Sequence, residues 1–343
     1  MAAQKQIINM KNSVFITLVI LLSVSIASCG QQRGKKQQSA TVSQSLPELI
    51  TPTFNADSAY KYIEKQVDFG PRVPNTTEHI ACSEYLIDKL KGFGAEVIVQ
   101  EAEVFAFDRT RLHIRNIIGQ FQPEKNDRIL LFAHWDTRPF ADYDKDPEKR
   151  NTPILGANDG GSGVGALLEI ARHLSENPTH LGVDIILFDG EDYGTPDHIQ
   201  AAYQPDTWCL GSQYWGKNPH KKNYYARYGI LLDMVGAKNA QFYREQYSMQ
   251  FAPQLVDHIW KTAGELGYSA WFNFGKGGMI TDDHFYVHKH MGIPAVDIIQ
   301  HDPTSSTSFG YYWHTHDDTM KNIDRETLKA VGQTVMEVIY KEK

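Results

Sequence analysis

The chain has 343 residues, 41% of them hydrophobic, and 26 glycines, enough for one large core or a core with a small accessory unit. Its 41 acidic against 34 basic side chains give a net charge of −7, which offers no basic surface to nucleic acid or to an anionic membrane. One main domain is the preferred organisation, and nucleic acid is excluded as a partner.

Lys5 and Lys11 precede an apolar run from Val14 to Ala27 that closes on Ile26-Ala27-Ser28-Cys29, an ending that looks like a bacterial lipobox. The run is shorter than the ~20 residues a spanning helix needs. Residues 1–28 are therefore read as a lipoprotein signal peptide rather than an ordinary secretory signal or a short span, with lipid on Cys29 tying the chain to a membrane. Residues 29–46 read as a flexible tether and residues 47–343 as the single functional domain. Gly30 rather than Asp after Cys29 points to the outer membrane of an exporting bacterium, facing the periplasm. Only Cys82 and Cys209 remain beyond Cys29, too few for a disulfide scaffold. Two separate buried thiols are preferred to one bridge, since Cys82 shares a helical apolar pattern with Leu86 and Leu90.

In chain order, periodicity predicts helices over Ala56 to Val67 and Thr77 to Leu90, then strands over Glu96 to Phe105, Leu112 to Phe121 and Ile129 to His134. A helix follows from Ser162 to Ser175, then strands over Val183 to Phe188 and Ile230 to Val235. A helix from Ala252 to Leu266, a strand from Ala295 to Ile299 and a helix from Arg325 to Ile339 complete the series. The strands ending at His134, Phe188 and Val235 are almost continuously apolar, as central strands covered on both faces are. The alternation argues for an α/β layered domain with a mainly parallel sheet.

Five clusters of acidic and histidine residues fall on this map: His134 with Asp136, Asn158-Asp159, Asp189-Gly-Glu191-Asp192, Asp233, and Trp313-His314-Thr-His316. His134, Glu191 and Asp233 stand at or just past the C-terminal ends of central strands, where open α/β sheets place their ligands. Together the clusters supply the imidazoles and carboxylates of a zinc site, with a spare carboxylate beside a ligand for proton transfer. Asp159, before Gly160-Gly161-Ser162-Gly163, is either a ligand or a helix cap. Adjacent Glu191 and Asp192 allow one to bind metal and the other to act as base. His134 reads as a ligand oriented by Asp136, or as a hydrogen-bonded core histidine. Asp233, ending an apolar strand, needs a cation or a hydrogen-bond donor. Aromatic residues around His314 suggest a small, mostly apolar pocket. The charge run from Asp142 to Arg150 reads as surface, and His288 and His290 as a solvated face. Gly275-Lys276-Gly277-Gly278 lacks phosphate-loop spacing, and no Gly-x-Ser-x-Gly elbow occurs.

From about Phe54 to Tyr340 the chain resembles the zinc-dependent glutaminyl cyclases of the animal type, in a bacterial form, whose fold is shared with co-catalytic zinc aminopeptidases. The resemblance rests on Ala-His134-Trp-Asp136, Gly-Ala-Asn-Asp159, Asp-Gly-Glu191-Asp192, Leu-Leu-Asp233, Thr-Asp282-Asp283-His284 and Trp313-His314-Thr. Asp282-Asp283-His284, where the aminopeptidases tend to have Ser-Asp-His, and Trp313 favour the cyclase branch. The resemblance implies a three-layer αβα sandwich around a mixed, mostly parallel sheet. It implies one zinc per chain held by Asp159, Asp192 and His314, with Glu191 as proton shuttle, Asp233 and Asp282 as its hydrogen-bonded support, and Trp313 as a pocket wall. The implied substrates are peptides or proteins with N-terminal glutamine, converted to pyroglutamate with release of ammonia. Asp192 departs from the pattern, the family's usual ligand there being Glu, and the stretch from Tyr193 to Leu210 looks like an enlarged loop in which Trp208 receives no role. Two alternatives stand beside this: a two-zinc aminopeptidase drawing also on His134 and Asp233, and a non-catalytic binding lipoprotein.

Overall fold

The computed structural model describes residues 46–199 and 205–343, so the segment read as a signal peptide and Cys29 lie outside the described residues. The helices in chain order are α1 (Ala56–Val67), α2 (Thr77–Gly92), α3 (Gly161–Glu176), α4 (Leu210–Lys217), α5 (Gln246–Phe251), α6 (Pro253–Glu265), α7 (Asp283–Met291) and α8 (Arg325–Lys341). The strands are β1 (Glu96–Phe105), β2 (Arg111–Phe121), β3 (Arg128–His134), β4 (Gly182–Phe188), β5 (Gly229–Asp233), β6 (Phe242–Arg244), β7 (Phe272–Lys276) and β8 (Ala295–Ile299). Residues from Leu46 to Lys343 form one compact unit.

Every residue of β3, β4 and β5 is buried, and the pleat explains why all are apolar apart from the ion-paired Arg128 and Asp184 and the terminal His134 and Asp233. Ile129, Leu131 and Ala133 of β3 turn to one core, while Leu130 and Phe132 turn to the other. Strands β4 and β5 divide in the same way, Ile185 and Ile230 against Ile186 and Leu231. The first core is closed by Ile63 of α1, Leu86 of α2, Leu167 of α3, Trp260 of α6 and Val335 of α8. The second is closed by Trp215 of α4 and Val287 of α7. Helices thus cover both faces of the sheet, as the three-layer reading requires.

The six-stranded sheet runs β1-β2-β4-β3-β5-β8. Strands β4, β3, β5 and β8 are parallel, and β2 joins β4 antiparallel with β1 antiparallel at its edge, so the sheet is mixed and mostly parallel. The short β6 and β7 pair separately. Register sets the rim: His134 faces Phe188, and Asp233 faces Ile299, so the ends of β3, β4, β5 and β8 stand level.

The predicted strands and longer helices lie where periodicity placed them, within two residues at each end. The short α4, α5, α7, β6 and β7 were not foreseen, because three to nine residues are too few to show a period. Helix α7 corrects one expectation: His288 and His290 are half-buried on it, with His288 stacked 3.9 Å from the Phe251 ring, so they are not a solvated face.

Candidate metal centre and active site

His134 ends β3 with its imidazole buried, and Nε2 lies 3.1 Å from Asp159 Oδ1 and 3.3 Å from Asp233 Oδ1. Asp159 reaches this point from the turn before α3. Gly160, not Asp159, is the N-cap, and it makes no side-chain cap bond, so the capping alternative for Asp159 fails. At Gly160 φ is +79°, and a Cβ there would stand 2.7 Å from the Asp136 carbonyl and 3.0 Å from the His134 ring. Asp318, buried beneath, fixes the turn by accepting the N–H groups of Asn158 and Asp159 at 2.8 and 3.0 Å.

Beyond β4, Gly190 at φ +68° turns the chain so that neighbouring acids part. Asp189 points away: it is buried against His79 Nε2 at 2.8 Å and accepts the Arg115 N–H, with the His79 ring stacked on Trp135. Asp136 accepts the N–H groups of both Glu191 and Asp192 at 3.1 Å. Its carboxylate therefore holds the 191–192 turn, and its approach to His134 Nδ1 is a longer 3.5 Å.

His314 completes the centre from a strained left-handed conformation, φ +53°. Its Nε2 lies 3.3 Å from Asp192 Oδ1 and 3.6 Å from Asp159 Oδ2. The ring sits between Trp313, with centroids 3.7 Å apart, and Trp208, parallel at 5.9 Å. Trp208 thus belongs to the site, and the Arg138 guanidinium lies 4.4 Å over its ring. Asp142 also corrects an expectation. It is buried, gripped by both forks of Arg138 at 2.7 Å, with Oδ1 3.4 Å from His314 Nδ1; Tyr143 and Asp144 are half-buried, and only residues 145–149 of the run are fully surface. Burial alone would raise the Asp142 carboxyl, but Arg138 and His314 hold it well below the usual carboxylate range.

Two of the candidate triads, His134/Asp159/Asp233 and Asp159/Asp192/His314, share Asp159, with the ligand atoms of each within 4.8 Å of one another. Both oxygens of buried Asp192, Asp233 Oδ1 and both His134 nitrogens lack hydrogen-bond partners among the described residues. Uncompensated buried carboxylates facing imidazole are the donor set that a zinc ion satisfies.

Glu191 shares the cavity with the second triad. Burial, then the charges of Asp282 and Asp192, push its carboxyl well above the usual range, while His134 pulls the other way. Asp282 caps α7 through the Asp283 N–H, and burial followed by the Asp233 charge raises its pKa to about 7. Hydrogen-bonded support of Glu191 by Asp233 and Asp282 is not the arrangement found: Asp233 Oδ1 and Asp282 Oδ2 have no hydrogen-bond partner among the described residues. The bond that reaches Glu191 comes instead from the Cys209 thiol, at 3.3 Å to Oε1. Cys82 and Cys209 are both buried and unbridged, as the sequence suggested. The cavity itself, about 270 Å3, is walled by Trp208, Phe309, Trp313, Ile280 and Ile299. Sequence reasoning missed Cys209, Trp208 and Asp142. The only signal for Trp208 was an aromatic residue in a loop next to Glu191.

A parallel-sheet rim carrying two histidine–carboxylate triads joined at one aspartate, with a free carboxylate beside them, defines an enzyme of the zinc-exopeptidase type. Residues 116–339 match the model of peptidase family M28, and the chain belongs to that family. It is similar to a glutaminyl cyclase from Tannerella forsythia, 57% identical with a TM-score of 0.84 over 85% of this chain and 100% of that one. It is equally similar in fold to a Zn-dependent exopeptidase from Parabacteroides distasonis, 59% identical with a TM-score of 0.84 over 85% and 100% of the two chains. The glutaminyl-peptide cyclotransferase of Bos taurus is 25% identical over 76% of each chain.

Proposed function

We propose that this site carries the glutaminyl-peptide cyclotransferase reaction on peptides or proteins with N-terminal glutamine. The carrying observation is that Glu191 and the Asp159/Asp192/His314 triad open together into one small, aromatic-walled cavity of about 270 Å3. That space suits one amino-acid side chain with its amine, and likeness to glutaminyl cyclases across nearly the whole folded part supports the chemistry. Asp159, Asp192 and His314 would hold a single zinc, which when bound polarises the side-chain amide carbonyl. Trp313 and Trp208 confine the glutamine side chain so that its own α-amine reaches the carbonyl carbon. Glu191 takes the proton as the amine nitrogen forms the new C–N bond, then returns it to the departing nitrogen as the old C–N bond breaks and ammonia leaves. A carboxyl held above its usual range is suited to both halves of that transfer near neutral pH. Asp233 and Asp282 would set the electrostatics around Glu191 through charge rather than through a direct bond.

The first triad, His134/Asp159/Asp233, favours a second reading, a two-zinc aminopeptidase with Glu191 serving a water nucleophile. Ammonia release from a Gln-initiated dipeptide by residues 46–343, with zinc measured on the same sample, separates the two. Pyroglutamyl product at about one zinc per chain, lost in Glu191→Gln, is the expected result. Free amino acids without ammonia, at about two zincs, would move the chain to the aminopeptidase reading.

The N-terminal pattern supports a further proposal, that the chain is exported and anchored through lipid on Cys29, in the outer membrane facing the periplasm. Labelling with a fatty-acid analogue should mark the full chain and not Cys29→Ser.

A further inference from the structure

Trp313 is the wall between two hollows. On one side lies the cavity with Glu191 and His314; on the other lies an open polar groove of about 640 Å3 that Trp313 also lines. The shared Trp313 sets the groove beside the cavity, within reach of the residues that follow a first residue held there. Its far side is a loop of hydroxyl residues, Thr304 to Thr307, with Tyr311, groups that donate and accept without demanding a particular side chain. The charges within it are unequal in availability. Asp302 is turned back on its own loop, its Oδ1 accepting the N–H and hydroxyl of Thr304 at 2.9 and 2.6 Å. Lys238 is exposed on the groove with its ammonium in no hydrogen bond or ion pair among the described residues.

We infer that this groove seats the residues that follow the N-terminal glutamine, and that Lys238 gives it a preference for a substrate carboxylate over an ammonium there. This rests on the cyclotransferase reading of the neighbouring cavity. The groove does no chemistry, so its effect falls on substrate capture and not on the turnover of bound substrate. The pairing is solvent-exposed, so it is modest and sensitive to salt.

The test uses amidated Gln-initiated pentapeptides in which one Glu or one Lys is walked from the second to the fifth position, with ammonia release read for wild type, Lys238→Ala and Lys238→Glu. Wild type should prefer Glu over Lys by about two- to fivefold in kcat/KM at one or two adjacent positions, the difference residing in KM. The ratio should fall towards one in Lys238→Ala and invert in Lys238→Glu, with all three enzymes turning over an uncharged pentapeptide at equal kcat. If every peptide is cyclised and the ratio is the same in wild type and Lys238→Glu at all positions, the groove assignment is overturned while the cyclotransferase reading stands. If wild type releases ammonia from none of them, both fall together.

Discussion

Glu191 is held by its neighbours more than by its own strand. Gly190 turns the backbone, Asp136 grips the N–H, and Cys209, itself in a left-handed conformation at φ +56°, donates its thiol to Oε1 at 3.3 Å while its N–H bonds the Glu191 carbonyl. Burial pushes the Cys209 thiol well up, so it stays protonated and remains a donor. Cys209→Ala should lower kcat by about tenfold, the worth of one hydrogen bond to a charged group, with KM little changed. Cys209→Ser should restore part of the loss, and an unaltered kcat in the alanine variant would show that the thiol does not position the base. His134, Asp159, Glu191, Asp192 and Asp233 were legible in the sequence because strand ends and a glycine turn announced them, and His314 because aromatic residues surround it in the chain. Cys209 and Trp208 were not, because a loop has no period. Asp142 was hidden because its partner Arg138, four residues earlier, is distinguishable from a surface charge only once the fold buries both.

Among the elements, the close approach of α3 to the sheet places Asp159. A Cβ at Gly163 would stand 2.0 Å from the Leu232 carbonyl and 3.0 Å from Ala133 Cβ, so backbone meets backbone with no flexible side chain to yield. Gly163→Ala should cost about 3 kcal/mol or more, read as a lower urea midpoint at unchanged m-value. Past the end of α4, His220 accepts the Trp215 indole N–H at Nδ1, and burial drops its pKa to about 4. An imidazole kept neutral in the fold while the unfolded chain binds the proton makes stability fall as pH falls from about 6.5 towards 4. Between pH 7 and pH 5 His220→Gln should lose less stability than wild type, by about 2 kcal/mol, since Gln keeps an acceptor without a titrating group. Equal losses in the two proteins would remove His220 as the cause. Strand types and long helices could be read beforehand because both faces of β3, β4 and β5 are covered. The antiparallel placement of β2 beside β4 could not, since the pairing direction of an apolar strand leaves no mark in its own residues.

At the scale of the whole molecule the rim is an accumulation of negative charge. Asp159, Glu191, Asp192, Asp233 and Asp282 border one cavity, inside a chain already at −7. A bound cation relieves their mutual repulsion, so metal and fold are linked. Chelator should lower Tm by roughly 10 °C, corresponding to about 4 kcal/mol for a site filled well above its dissociation constant. One equivalent of zinc should restore it, and a Tm indifferent to chelator would detach the rim from metal binding. The same clamp that orders Glu191 has a consequence for how such an enzyme can change over time. Asp136 extends from the end of β3 and holds two consecutive residues beyond β4, so the spacing between proton carrier and metal ligand is inherited from a ladder between paired strands. The stretch that carries Trp208, a wall of the cavity, is outside that ladder. It is free to lengthen, shorten or exchange side chains, altering which molecules are admitted, while the reactive geometry behind it stays in tune.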